Sequence, residues 1–198
     1  MREYTIQKIT GAPDWTTVPI LPIDCLQWSP EVPIRAQAQI CYDDNSLYVR
    51  QVAVEPNIRA EESGPLGIPC DDSCLEFFFC PINGDIRYFN IECNPNGCVY
   101  LGFGYCLPDL VRLVPKKMPV QPKAEYTPDG WQVSYSFPFS FVRLFFPDFN
   151  PVSGSTIRAN CYKCGDETVQ PHFLSWNPIN TETPAFHIPE GFGLMRFE

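Results

Sequence analysis

Turn dipeptides at short intervals constrain this chain more than any other feature. Asn83-Gly84, Asn96-Gly97 and Asp129-Gly130 each separate runs of strand-forming residues, and Asp43-Asp44-Asn45 does so further upstream. Asn-Gly and Asp-Gly supply the positive φ angles that tight hairpins demand. The runs between them alternate. Ile34-Arg35-Ala36-Gln37-Ala38-Gln39-Ile40 does so strictly, and Trp131, Val133, Tyr135 and Phe137 share a face opposite Gln132, Ser134 and Ser136. The 22 prolines fall between apolar runs and break up long helices. The pattern predicts one all-β domain over residues 1–198. Its architecture is an antiparallel β-sandwich of immunoglobulin or jelly-roll type, with long loops and at most one or two short helices. A short helix is expected within 140–146. Residues 57–69 and 107–122 read as long loops, of the kind that wall binding sites.

Composition narrows the partners. Hydrophobic residues make up 44% of the chain, enough for one well-filled core. Lys and Arg number 14 against 23 Asp and Glu, and a net charge of -9 repels a phosphate backbone, so nucleic acid is excluded as a partner. No apolar run approaches the roughly 18 residues of a spanning helix, which argues against a membrane role. The opening Met1-Arg2-Glu3-Tyr4-Thr5 lacks the apolar centre of a secretory signal, so a cytoplasmic location is expected. The ten cysteines then read as reduced thiols, several of them (Cys41, Cys74, Cys80, Cys93) acting as small apolar side chains within strands. Oligomeric state has no signature in the sequence.

One stretch breaks the strand chemistry. Asn90, Glu92 and Asn94 alternate with apolar residues, and Glu76 interrupts Cys74-Leu75-Glu76-Phe77-Phe78-Phe79-Cys80. Pairing Cys80 with Ile86 places Glu76 opposite Asn90 and Cys74 opposite Glu92. Glu76, Asn90, Glu92 and Asn94 then form one polar patch edged by Phe78 and Tyr88, while Leu75, Phe77, Phe79, Phe89, Ile91 and Cys93 face the inter-sheet core. A one-residue slip would mix the two sets. Buried carboxylates and amides need partners. Either arginines such as Arg50, Arg87 or Arg158 pair with them, or the face meets a polar ligand. Carboxylates and amides beside aromatic rings suit a sugar, whose hydroxyls and C–H face they match.

Other constellations offer less. Cys161-Tyr162-Lys163-Cys164 looks like half a zinc site, but residues three apart on a strand face opposite sides. Cys70 and Cys74 have acceptable spacing, yet nothing in the sequence completes a tetrahedral set. His172 and His187 are the only histidines and read as structural, although with Met118 and Met195 they are the available haem-ligand types. Asp43-Asp44-Asn45 and Asp71-Asp72 could offer oxygens to calcium, or simply cap turns. Trp15, Trp28 and Trp131 read as packing residues. No hydrolase or phosphate-loop signature appears.

Asp72-Ser73-Cys74-Leu75-Glu76-Phe77-Phe78-Phe79 resembles the Asp-x-x-x-Glu-Phe-Phe signature of family 9 carbohydrate-binding modules. Leu47-Tyr48-Val49, Gly130-Trp131, Leu174-Ser175-Trp176-Asn177-Pro178 and Phe186-His187-Ile188-Pro189 follow the family's order, so the resemblance runs over about 23–197 and extends to the wider DOMON-like sandwiches. It implies a β-sandwich that binds sugar between two tryptophans, often with calcium. It also implies that Glu76 is the binding glutamate and Trp176 a stacking ring, and it adds Asn160 to the ligand-binding set. Cys70 stands where the family's second tryptophan is expected. The expected function is non-catalytic carbohydrate binding. The alternatives are a glycoside-active enzyme using Glu76 and Glu92, or a scaffold with no sugar ligand.

Overall fold

The computed structural model describes residues 1–198. Its opening strands are β1 (Glu3–Lys8), β2 (Leu21–Ile23), β3 (Cys25–Gln27), β4 (Arg35–Tyr42) and β5 (Ser46–Val54). Next come β6 (Cys74–Cys80), β7 (Tyr88–Cys93), β8 (Val99–Gly104) and β9 (Val111–Arg112). The chain finishes with β10 (Lys123–Thr127), β11 (Gly130–Pro138), the single-turn helix α1 (Phe139–Val142), β12 (Thr156–Gly165), β13 (His172–Ser175) and β14 (Gly193–Phe197).

The strands form two layers. One runs β10-β11-β5-β4, with β2 on the outer edge of β4. The other runs β14-β12-β6-β7-β8-β9, with β13 and β3 extending from β12. β1 joins them, pairing parallel with β4 on one side and β14 on the other. The sandwich is therefore mixed and not wholly antiparallel. No hairpin ties β1 to either neighbour, so nothing forces the antiparallel direction there.

The inner faces hold the core. Leu75, Phe77, Phe79, Phe89 and Ile91 pack against Leu47, Val49, Trp131, Val133 and Phe137, all fully buried. The predicted face assignment of β6 and β7 is thus observed, but their register is shifted by two residues. Glu76 lies opposite Glu92, Phe78 opposite Asn90 and Phe79 opposite Phe89. The connection through Asn83-Gly84 is longer than the minimal turn and β7 starts only at Tyr88, so the pairing moves while an even shift preserves the faces. Gly84 and Gly97 adopt the positive φ expected of them, 87° and 74°. Gly130 does not. It is required because a Cβ there would come within 2.0 Å of the Ala53 carbonyl oxygen on β5. The expected helix appears as α1, inserting Phe139 and Val142 into the core.

The second layer is covered on its outer face as well. Residues 176–192 cross it, with Phe186 stacked 4.1 Å from Tyr162 and Phe192 edge-on to Tyr88 at 5.7 Å. His187 Nδ1 meets the Tyr88 hydroxyl at 2.8 Å. Every residue of β6 is consequently buried.

A charged cluster lies beneath the layer. Lys163 Nζ is 3.2 Å from Glu55 Oε2 and 2.7 Å from His172 Nε2, and Glu55 also accepts hydrogen bonds from Trp131 Nε1 and Ser73 Oγ. A pair this buried is costly to break from one side, because the surviving charge has no water to return to. Lys163→Met should therefore cost about 3–5 kcal/mol in urea denaturation. The double variant Glu55→Gln/Lys163→Met should recover most of that loss. A single-variant cost below about 1 kcal/mol would show that the pair contributes only as an exposed one does.

Both histidines are held neutral. Burial pushes His187 down to about 4, and burial with the neighbouring Lys163 ammonium does the same to His172. A folded-state pKa below the unfolded value of about 6.5 means that stability is lost as pH falls from 6.5 towards 4. Over that interval His187→Asn should lose less melting temperature than the wild type. Equal losses in the two proteins would mean that the His187 ring titrates freely in the fold.

Candidate functional site

The outer face of the second layer holds a cleft of about 230 Å³ between β6, β7, β12 and the covering segment. Alternation on the strands dictates its floor. Cys74, Glu76 and Phe78 of β6 point outward together, as do Asn90 and Glu92 of β7 and Tyr162 and Cys164 of β12. Glu76 and Glu92 sit side by side in adjacent strands, 3% and 6% exposed, and both open into the cleft.

Neither carboxylate has a cationic partner. The buried charged contacts lie elsewhere, with Lys163 and His172 around Glu55 and half-buried Arg59 on Asp72 at 2.5 Å, and the remaining bridges are at the surface. Glu76 accepts from Cys164 Sγ at 2.9 Å, and Glu92 accepts from Asn90 Nδ2 at 2.6 Å. Burial drives both carboxyl groups well above the usual carboxylate range. The Glu76 charge adds to the rise at Glu92, and the Asp166 charge adds to it at Glu76. Asp166, also in the cleft, is raised to about 6 by burial and then by Asp71. The floor is crowded with acidic groups, and the charges of Lys163 and Arg112, which oppose the rise at Glu76 and Glu92, act without a salt bridge to either.

Aromatic rings form the wall. Trp28 lines the cleft with its ring 5.5 Å from Phe186 and 6.0 Å from Phe173. Its Nε1 donates to the Thr181 carbonyl at 2.8 Å, anchoring the indole to the covering segment. Trp28 has φ 42°, the one non-glycine residue with positive φ, and Ser29 N–H closes the turn onto the Gln27 carbonyl. A bulky residue held there carries roughly 1–3 kcal/mol of strain, which marks sites where position matters more than comfort. His187 and Leu107 complete the rim.

Of the residues singled out from sequence, Glu76, Glu92 and Cys70 line this cleft. Asn90 stands beside it and positions Glu92. Asn94 does not reach it: its amide donates to the Glu62 carbonyl and to Asp72, and its oxygen accepts from Asn96 and Cys98 N–H, stapling a turn to the loop above. Asn160 is likewise spent on the backbone of Asn177 and Cys161. Trp176 is not a platform. Strand alternation places it with Leu174 on the inner side, 2% exposed, with its ring against Gly193. Trp28, expected to be mere packing, is the half-buried tryptophan that lines the cleft instead. Its role depends on a turn that brings residues 28 and 186 together, and no local pattern announces such a contact.

In each of the two aspartate clusters considered for calcium, one carboxylate is engaged internally. Asp72 is fully buried and accepts from Arg59, from the Glu61 and Glu62 amides and from Asn94. Asp43 caps the β4–β5 turn through Asn45 and Ser46 N–H and accepts from the Tyr48 hydroxyl.

Comparison with known proteins agrees with this architecture. A solved protein from Bacteroides uniformis, provisionally described as carbohydrate-binding, superposes with a TM-score of 0.86 at 27% identity, covering 100% of this chain and 99% of its own. Two structures of a carbohydrate-binding module family 9 from Caldicellulosiruptor kristjanssonii share the fold. The one in complex with glucose gives a TM-score of 0.70 at 14% identity and covers 100% of this chain and 96% of its own. The one with cellotriose gives 0.72 at 15% identity, covering 100% and 94%. No curated protein matches by sequence. The family model for carbohydrate-binding family 9 matches residues 9–197, nearly the whole length, and the chain belongs to that family.

Proposed function

We propose that this protein binds carbohydrate without turning it over, in the cleft floored by Glu76 and Glu92 and walled by Trp28 and Phe186. The observation that carries this reading is the pair of buried carboxyl groups that meet no cation and face an aromatic-lined opening. Carboxyl oxygens take adjacent sugar hydroxyls, and an indole edged by Phe186 offers an apolar surface to the ring's C–H face. The cleft is smaller than the roughly 300–1,000 Å³ of drug-sized pockets, which suits one end of a chain better than a long internal stretch. The glucose and cellotriose held by the Caldicellulosiruptor modules are natural first ligands to test. A small cleft with an acidic floor and apolar walls binds with Kd of about 1 μM to 1 mM, since desolvation offsets much of the hydrogen bonding.

The test is calorimetric titration of the reduced protein with glucose, cellobiose and a wider glycan panel. Trp28→Ala and Glu92→Gln should each weaken binding at least about tenfold, the scale of one lost aromatic or charged contact, with folding checked by circular dichroism. Wild-type heats in both variants would remove the cleft from consideration. Release of product from aryl glycosides, lost in Glu92→Gln, would instead make the pair catalytic.

A further inference from the structure

Two cysteine motifs in the sequence each lack the partners for a metal site, and the fold brings one thiol of each together. Cys74 and Glu76 are two residues apart on β6 and share its outer face, while Cys164 lies directly across from Cys74 on β12. The two sulfurs and a Glu76 oxygen all fall within 4.8 Å of one another, and Cys164 Sγ is 2.9 Å from Glu76 Oε1. All three are buried, and Glu76 and Cys164 open onto the cleft, which gives an ion a path from solvent. Cys161, the other thiol of the second motif, points into the inner core and takes no part.

We propose that Cys74, Cys164 and Glu76 form a binding site for a thiophilic divalent cation, zinc in the first instance, with a fourth position facing the cleft. Tetrahedral zinc with bonds of about 2.3 Å to sulfur and about 2.1 Å to oxygen sets its ligands roughly 3.6–3.8 Å apart. The observed cluster reaches that spacing with small side-chain adjustments. Two sulfurs select zinc over magnesium or calcium, which take oxygen ligands. Charge favours the ion as well. Cys70, Glu92 and Asp166 add negative or polarisable groups to the same cleft, and no lysine or arginine lines it. On binding, the two thiols and any protonated Glu76 release their protons to solvent, and no electron transfer is involved.

This site does not depend on sugar binding, and its test contains no sugar. The metal-free wild-type chain, kept reduced under anaerobic conditions, is titrated with Co²⁺ alone. The expected result is one equivalent bound, with intense tetrahedral d–d bands and a thiolate-to-cobalt charge-transfer band. Cys74→Ser and Cys164→Ser should each weaken binding at least about tenfold, while Cys41→Ser, on the other layer, should not. Because a buried serine could impair folding, X-ray absorption of the zinc-loaded wild type supplies a second reading. It should show two sulfur scatterers and lighter ligands. Weak octahedral cobalt bands, an oxygen-only zinc shell, or unaltered binding in folded Cys74→Ser or Cys164→Ser would overturn the proposal.

Discussion

Burial of β6 on both faces is the constraint on which the rest of this molecule depends. The strand lies at the centre of its layer, between β12 and β7, and none of its residues reaches open solvent. Its inner face has only to be apolar, and Leu75, Phe77 and Phe79 meet that demand. Its outer face carries Cys74, Glu76, Phe78 and Cys80, so polar atoms are placed where water is scarce. Any other parity would bury Glu76 among the phenylalanines of the core, where an ionised carboxyl is intolerable.

The protein deals with its buried charges in two ways. On the inner side Glu55 is satisfied by Lys163, Trp131 and Ser73, a closed set that serves stability and register. On the outer side Glu76 and Glu92 receive single hydrogen bonds and otherwise confront each other. Desolvation raises both carboxyl groups, helped at Glu92 by the Glu76 charge and at Glu76 by the Asp166 charge, and no arginine pairs with either. The asparagines show the same contrast. Asn160 is saturated by backbone partners and Asn94 by backbone partners and the Asp72 carboxylate, whereas Asn90 serves Glu92 and keeps a buried oxygen without a partner.

The wall of the cleft belongs to a different level of organisation. Trp28 and Phe186 are more than 150 positions apart in the chain, and they meet because β3 pairs with β13 while the covering segment folds back over β12. The strained turn at Trp28 and its bond to Thr181 hold the indole in place over an acidic floor. Floor and wall thus have separate origins. The floor follows from strand periodicity, and the wall from loop packing.

That division explains what could be read in advance. Turn dipeptides, strict alternation and the apolar runs of β6, β7 and β11 were sufficient for an all-β sandwich, for the inner and outer faces, and for Glu76 and Glu92 on a common side, because these properties depend on neighbours in sequence. The two-residue shift of β7, the parallel placement of β1 and the meeting of Cys74 with Cys164 depend on how distant segments pair. So does the exchange by which Trp176 enters the core and Trp28 takes the cleft. Local chemistry determines which way a side chain can face. Only the packed structure decides what stands opposite it, because cross-strand and loop contacts draw their energy from burial shared between segments that are far apart in the chain.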